Sequence, residues 1–361
     1  MKRYYFIVGE ASGDLHAAKL IKELSALDTD ATFQGFGGER MQKEGLELTK
    51  HYQEMAFMGF WEVLMNLSAI RKNFKQAKKE LLEYKPDVLV LVDYPGFNMR
   101  MATFAKKHNI KVVYYITPQV WAWKESRVKK LKRDVDLLLP ILPFERAFFA
   151  KHGIDVSYVG HPLLDAFKDL DSRNIESEKP IIAILPGSRK QEIATSLPIM
   201  MEVAKSFENY QFIIAGAPSI SQDYYRSITQ DSYMPVLSNQ THALLKECKA
   251  AIVTSGTATL EAAILKVPQV VCYKTSSISY FLAKLVVKVK YIALVNLICD
   301  KEVVKELIQD DFNADNLVNE LNRILNKKNK TQILSDYDSL IRLLGDVGAS
   351  KRAADAINSL H

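Results

Sequence analysis

The sequence predicts an α/β protein built from two successive doubly wound domains. Three observations predict it. Short apolar runs alternate with helix-length amphipathic stretches, the pattern of a parallel sheet covered by helices. The alternation breaks at a polar, charged segment, Asp169–Pro180, and starts again at Ile181. Small-residue turns follow several of the apolar runs, where doubly wound folds bind ligands. A chain of 361 residues is also long enough for two ordinary cores.

In the first half, strands are expected at Tyr4–Val8, Thr32–Phe36, Val88–Val92, Val112–Ile116, Leu137–Leu139 and Val156–Tyr158. Helices are expected at Leu15–Ala26, Arg71–Tyr84 and Arg100–His108. After Gly160-His161-Pro162 and the polar segment, strands are expected at Ile181–Leu185, Gln211–Ala215, Ala250–Val253 and Gln269–Tyr273. Helices are expected at Gln191–Phe207, Thr257–Leu265 and Tyr280–Val289, and the chain beyond Glu302 reads as helical throughout. No internal repeat or low-complexity tract interrupts this order.

Composition narrows the function. With 48% hydrophobic and 25% charged residues the chain is globular. A net charge of +6 suits anionic small molecules, phosphate-bearing lipid surfaces or nucleic acid without choosing among them. No basic strip with interleaved aromatics forms an RNA-reading sheet, so no nucleic-acid partner is expected. Three scattered cysteines match no zinc spacing and fit a reducing compartment. The N-terminal apolar run is too short for a signal peptide, and no run reaches the ~18 apolar residues of a membrane span. The expected location is cytoplasmic.

Three turns carry the candidate chemistry. Gly187, Ser188 and Arg189 open the second half, and Ser255, Gly256 and Thr257 follow Ala250–Val253. Glycine lets the backbone approach an anion, the following helix offers free N–H groups, and Arg189 can fork onto a phosphate. Together the two turns could hold a diphosphate without a metal, although a glycine and an N-cap hydroxyl serve any α/β turn. Glu261 falls one helical turn further on, where it could accept from ribose hydroxyls or simply favour a helix N-terminus. The first turn, Gly9–Asp14, is acidic; with Glu10, Ser12 and Gly13 it reads as an acceptor or catalytic corner. Gly35-Phe36-Gly37-Gly38-Glu39-Arg40 lacks the third glycine of a dinucleotide fingerprint, which disfavours an oxidoreductase. Asp93 follows Val88–Val92, at the carboxyl end of a strand, with Pro95 and Gly96 expected to turn the chain behind it. It is a candidate general base or a capping residue; Glu10, Asp14 and His16 compete for the base role. No acidic pair or His cluster suggests a metal, and no cofactor is expected.

Taken in order, Gly9–Asp14, Met58–Leu64, Asp93–Asn98, Pro118–Trp123, Pro143–Glu145, Gly160–Pro162, Leu185–Arg189 and Ser255–Glu261 resemble the motifs of the lipid-A-disaccharide synthase family over nearly the whole chain. The resemblance implies a GT-B fold with a central cleft between the domains and with C-terminal helices crossing back to the first domain. It implies domains of about 1–165 plus 345–361 (acceptor) and 166–344 (donor). It further implies inverting transfer from UDP-2,3-diacylglucosamine to 2,3-diacylglucosamine 1-phosphate, joined β(1→6) with release of UDP. Asp93 then matches a proposed catalytic aspartate, and Arg189 and Asn296 match residues tied to substrate binding. Where the family usually has Pro-Asn, this chain has Val295-Asn296.

Both substrates carry acyl chains, so a peripheral hold on the cytoplasmic face of the inner membrane is expected. Met55–Leu67, with Met58, Phe60, Trp61, Leu64 and Leu67, is rich in Met and aromatics and is followed by Arg71, Lys72, Lys75, Lys78 and Lys79. Phe281 precedes Lys284 and Lys288. An apolar stretch flanked by cations is what an interfacial helix looks like, and composition alone equally fits core packing under solvated lysines. A homodimer is compatible with this reading. The residues leave two other classes open: a UDP-sugar 2-epimerase, and a peripheral membrane protein that binds nucleotide without turnover.

Overall fold

The computed structural model describes residues 2–55, 67–168, 175–230, 234–277, 280–281, 284, 287 and 289–360. The chain divides into two compact units, Met1–Lys168 with Gly345–His361, and Asp169–Leu344.

The first unit holds six strands: β1 (Arg3–Val8), β2 (Thr32–Gly37), β3 (Leu46–His51), β4 (Val88–Val92), β5 (Lys111–Tyr115) and β6 (Leu137–Leu139). All pair in parallel, in the order β3-β2-β1-β4-β5-β6. Alternation along β1 shows how both faces are covered. Tyr4, Phe6 and Val8 pack with Ala17, Leu20 and Ile21 of the helix Ala11–Leu27 and with Ala353, Ala354 and Ile357 near the C-terminus. Tyr5 and Ile7 face the other layer, with Ala77 and Leu81 of Leu67–Tyr84 and Met101 and Ala102 of Pro95–Lys107. Burial on both faces is why these strands read as unbroken apolar runs.

The C-terminal helix Ala349–Asn358 belongs to this first unit. Asp165 caps it, accepting from the backbone N–H groups of Gly348 (2.5 Å), Ala349 (3.2 Å) and Ser350 (2.8 Å). Arg352 Nε donates to the Val159 carbonyl at 2.8 Å. Capping and alanine-rich packing together dock a helix that the whole second unit, Asp169–Leu344, separates in sequence from the rest of its layer.

The second unit repeats the topology with β7 (Ile181–Leu185), β8 (Gln211–Gly216), β9 (Val236–Ser238), β10 (Cys248–Thr254), β11 (Gln269–Tyr273) and β12 (Glu306–Ile308). Its order is β12-β11-β10-β7-β8-β9, again all parallel. Counted from its own first strand, each sheet runs 3-2-1-4-5-6. The order reverses between β1 and β4 in one unit and between β7 and β10 in the other, the switch points at which doubly wound sheets bind ligands.

Several expectations change. β3, β9 and β12 are strands that the sequence pattern does not announce, and β12 interrupts the run expected to be helical beyond Glu302. Val156–Tyr158 is extended but joins no ladder; Ser157 makes a single 3.4 Å bond to the Leu138 carbonyl. The helix expected from Arg100 starts at Pro95, so the turn falls at Asp93 and Tyr94 instead of at Pro95 and Gly96. Proline is pre-set for the first helical position, where its missing N–H has no partner to lose. Half of the helix expected at Tyr280–Val289, the first six residues of the linker, and Met58, Phe60, Trp61 and Leu64 lie outside the described residues. So does the side chain of Leu67.

His16 and His161 are buried in the first unit. Loss of water pushes His16 down to about 4 and His161 down to about 3, each other's proximity adding to the effect on His161. Both are therefore neutral in the fold, and Nδ1 of His161 accepts from the Leu163 N–H at 3.3 Å. A folded-state pKa below the unfolded 6.5 means that the unfolded chain takes up the proton first. The contribution of each histidine is complete above pH 6.5 and is lost as pH falls, at up to about 1.4 kcal/mol per pH unit. His161→Asn keeps an acceptor for Leu163 but cannot titrate. We expect urea unfolding to show the variant less stable than the parent at pH 7.5 and the gap to narrow by about 1–2 kcal/mol at pH 5. A gap unchanged between the two pH values would mean that His161 does not titrate on unfolding.

Candidate active site

The first-unit turns cluster at its switch point. Val8 and Val92 are register partners at the carboxyl ends of β1 and β4. The chain leaves β4 through Asp93 and Tyr94, both left-handed, with φ of 47° and 48°. Ile116, leaving neighbouring β5, is left-handed as well, at 62°. For non-glycine residues each such conformation costs about 1–3 kcal/mol and persists only where the surroundings hold it.

They are held by named groups. Asn98 is wholly buried, and its Nδ2 donates to the carbonyls of Ile7 (3.3 Å), Val92 (3.2 Å) and Asp93 (2.8 Å). Tyr114 Oη donates to the Asp93 carbonyl at 2.7 Å, and the Asp93 N–H donates to the Tyr115 carbonyl at 3.3 Å. Tyr94 closes the turn, its ring filling the space where a Gly9 side chain would begin and its hydroxyl donating to the Met55 carbonyl at 2.8 Å. Met55, the start of the stretch expected at a membrane surface, is a core residue.

Backbone and rings are thus satisfied by one another, and the Asp93 carboxylate takes no part in holding the turn beyond a bond from the Tyr94 N–H. Desolvation pushes it up to about 6, against the Tyr94 N–H, which favours the ion. Glu10 is the N-cap of Ala11–Leu27 without a capping hydrogen bond, close enough for its charge to help raise the Tyr94 hydroxyl. The other members of this corner divide by burial. Ser12 is exposed. Gly13 is buried, and a Cβ there would meet Val8 Cγ1 at 2.7 Å, so its smallness serves the packing of helix on strand. Asp14, expected as a rival base, caps the short helix Glu39–Lys43 by accepting from the Arg40 (3.3 Å) and Met41 (3.1 Å) N–H groups.

The second-unit turns flank the other switch point, Gly187–Arg189 after β7 and Ser255–Thr257 after β10. Gly187 has φ of 117°, with Glu192 where a side chain would go. Glu192 accepts from the Ser188 N–H at 3.0 Å and from Arg189 Nη1 at 3.1 Å. One carboxylate thus already engages a backbone N–H and the guanidinium together, which shows that both converge on a single anionic group. Arg189 remains 55% exposed.

Gly256, with φ of 156°, has open space on its side-chain side, and no side chain caps the helix Thr257–Ile264 that it begins. Gly256 and Thr257 are exposed, so the first N–H groups of that helix are available to an anion. Glu261, inside the helix, lies 3.4 Å from His242 Nε2.

Asn296 plays a different part from Arg189. It is fully buried; Nδ2 donates to the Val304 carbonyl (2.8 Å) and Glu306 Oε1 (2.9 Å), and Oδ1 accepts from the Val303 (2.8 Å) and Val304 (3.0 Å) N–H groups. Glu306 also accepts from the Ile292 and Ala293 N–H groups, and Ser255 Oγ donates to the Ile292 carbonyl at 3.3 Å. Asn296 therefore organises the loop that backs the Ser255 turn. Val295 sits in the first turn of Leu294–Cys299, where a proline would lose no intrahelical bond, so the exchange leaves the turn intact.

Sequence reasoning gave no role to Asn98, Glu192 or Glu306. Asn98 closes the Asp93–Asn98 motif and Glu192 stands three residues past Arg189, and those positions were the available signal. Glu306 gave none.

Comparison with known proteins now places the chain. A family model described as lipid-A-disaccharide synthetase matches residues 4–359. The lipid-A-disaccharide synthase of Trichlorobacter lovleyi is 37% identical over 373 residues, covering 99% of this chain and 97% of that protein. The enzyme of the same name from Geobacter sulfurreducens is 36% identical, with 98% and 96% covered. Among solved structures, the UDP-GlcNAc 2-epimerase of Methanocaldococcus jannaschii in complex with UDP-GlcNAc and UDP superposes with a TM-score of 0.66 at 14% identity, covering 99% of both chains. The calicheamicin glycosyltransferase CalG4 gives 0.63 at 15% identity, with 99% and 98% covered. These structural likenesses establish the two-domain α/β fold of GT-B glycosyltransferases and leave epimerase and transferase undivided; sequence divides them. The chain belongs to the lipid-A-disaccharide synthase family.

Proposed function

We propose that the chain transfers 2,3-diacylglucosamine from its UDP derivative to 2,3-diacylglucosamine 1-phosphate with inversion, forming the β(1→6) disaccharide 1-phosphate and UDP. Family membership makes it a glycosyltransferase of lipid A biosynthesis. The observation that carries the residue assignment is the strained Asp93–Tyr94 turn at the switch point of the first sheet, which sets a partly buried carboxylate at the end of β4.

In this reading the acceptor 6-hydroxyl oxygen attacks the anomeric carbon opposite the departing UDP. Asp93 takes the hydroxyl proton as the new C–O bond forms. A base with a pKa near 6 is ionised at neutral pH yet still basic enough to help. The bond to the UDP oxygen breaks, and the growing charge is met by Arg189, the Ser188 N–H and the start of Thr257–Ile264. Glu192 then gives up its hold on Arg189 to the phosphate. In the same reading Glu261 takes the ribose hydroxyls, and Glu10 and Ser12 orient the acceptor. No step calls for a metal.

Access to lipid is assigned to the apolar stretch containing Met58, Phe60, Trp61, Leu64 and Leu67, and to Phe281, which is 64% exposed. What supports it is a groove of about 380 Å³ on the first unit lined by Arg71, Phe74, Lys75, Lys78 and Arg100, four cations around one ring. Such a surface suits anionic headgroups. Among the described residues no helix is long and apolar enough to cross a membrane.

Purified protein given both lipid substrates in mixed micelles is expected to yield tetra-acyl disaccharide 1-phosphate and UDP, unchanged by EDTA. Binding of UDP with no disaccharide formed would sink the assignment. Asp93→Asn is expected to lower kcat by about 10²–10⁴ with UDP affinity kept, and to remove an acid limb near pH 6 from the rate profile, since activity falls as Asp93 is protonated. Arg189 and Asn296 should separate cleanly. Arg189→Ala should leave urea stability within about 0.5 kcal/mol and weaken UDP binding tenfold or more. Asn296→Ala strands two buried N–H groups and should cost about 2–4 kcal/mol of stability. Equal stability losses in the two variants would refute that division.

A further inference from the structure

Glu145 lies in the first turn of the helix Pro143–Lys151 and is almost completely buried. One oxygen does ordinary capping work: Oε2 accepts from the Leu142 (2.9 Å) and Ile141 (3.2 Å) N–H groups. The other crosses to the loop after β5, where Oε1 accepts from Thr117 Oγ1 (2.8 Å) and Trp121 Nε1 (3.1 Å). A cap needs only the first set. Burying a carboxylate against four neutral donors is costly, and the second set accounts for where the loop lies. That loop begins at the strained Ile116, a β-branched residue whose left-handed backbone requires an outside anchor.

The segment so anchored runs to an exposed aromatic surface. Trp123 is 42% exposed, with Lys124 Nζ 4.4 Å and the Arg127 guanidinium 5.2 Å from its ring centre. Aromatic face and cations together suit a phosphorylated sugar. The same strand exit touches the base, through Tyr114 Oη and the Tyr115 carbonyl.

We propose that Glu145 is a positioning residue for the transfer reaction: its outward oxygen fixes Thr117–Trp123 as the wall against which the acceptor sugar is placed. This rests on reading the first unit as the acceptor side. Glu145 touches no substrate and acts through Thr117 and Trp121.

The test is Glu145→Gln. Its amide oxygen can keep the Ile141 and Leu142 N–H groups, and Thr117 can reverse its hydroxyl. The amide NH₂ then faces the Trp121 indole N–H, donor against donor. The acceptor kcat/KM is expected to fall at least tenfold, chiefly through KM, while the Kd for UDP stays within twofold, because the UDP contacts are on the second unit. The indole NMR signal of Trp121 should shift. Trp121→Phe removes the opposed donor, so the double variant should recover to the level of Trp121→Phe alone. Acceptor kinetics within twofold of the parent, or a parallel loss of UDP affinity, would overturn the proposal. If Glu145→Gln does not fold, Trp121→Phe and Thr117→Val carry the test: each is expected to lower acceptor kcat/KM at least threefold, and unchanged kinetics in both overturns it. A fully active Asp93→Asn protein would remove the base assignment without altering these acceptor comparisons.

Discussion

The side-chain amide of Asn98 is the interaction on which the first-unit site depends. Its two hydrogens reach three carbonyls, at the ends of β1 and β4 and within the turn that leaves β4. These are the strands between which the sheet order reverses, so one amide fixes both rims of the switch point. It also holds Asp93 where the next residue is left-handed and the following Pro95 opens a helix. Released from these bonds, the turn would relax by the few kcal/mol that two left-handed non-glycine residues cost, and the carboxylate would move with it.

The second unit reaches the same end by other means. Glu306 and Asn296, both held within the fold, tie the backbone of residues 292–304 together, and Ser255 joins that backbone to the glycine turn. In each unit a buried side-chain amide bonded to backbone groups sets the loops, and a separate, more exposed group, Asp93 or Arg189, stands apart from it. Sites built this way keep their geometry because the supporting shell is rigid. It follows that loss of activity on substitution cannot by itself assign a residue to substrate contact. Arg189 and Asn296 both belong to the second unit, one with an exposed guanidinium and the other buried in the core.

The legible parts of the fold are those whose environment is uniform along the chain. β1, β4, β5, β7, β10 and β11 each carry an unbroken run of at least three apolar residues because helices cover both faces. β3, β9 and β12 escaped notice, and all three are sheet edges. An edge strand is short or carries charge, as Glu47 and Lys50 do in β3, which protects it from pairing with other chains and also removes its signal. Val156–Tyr158 has the composition of a strand but lies beside the edge of β6 without pairing. Only the neighbouring strand decides between those outcomes.

The sequence by itself determined that there are two doubly wound halves, where each begins, and which turns carry Asp93, Arg189 and Gly256. These follow from short-range rules: side-chain period, and what glycine, proline and N-cap residues permit in a turn. Only the tertiary structure decided which of the motif residues are spent within the protein. Gly13 packs against Val8, Asp14 caps a helix 25 residues on, and Asn296 binds Val303, Val304 and Glu306. The reason is that a hydrogen bond is satisfied by whatever group the fold brings within about 3 Å. Residues as far apart as Ile7 and Asn98 leave no mark of that meeting in their spacing along the chain.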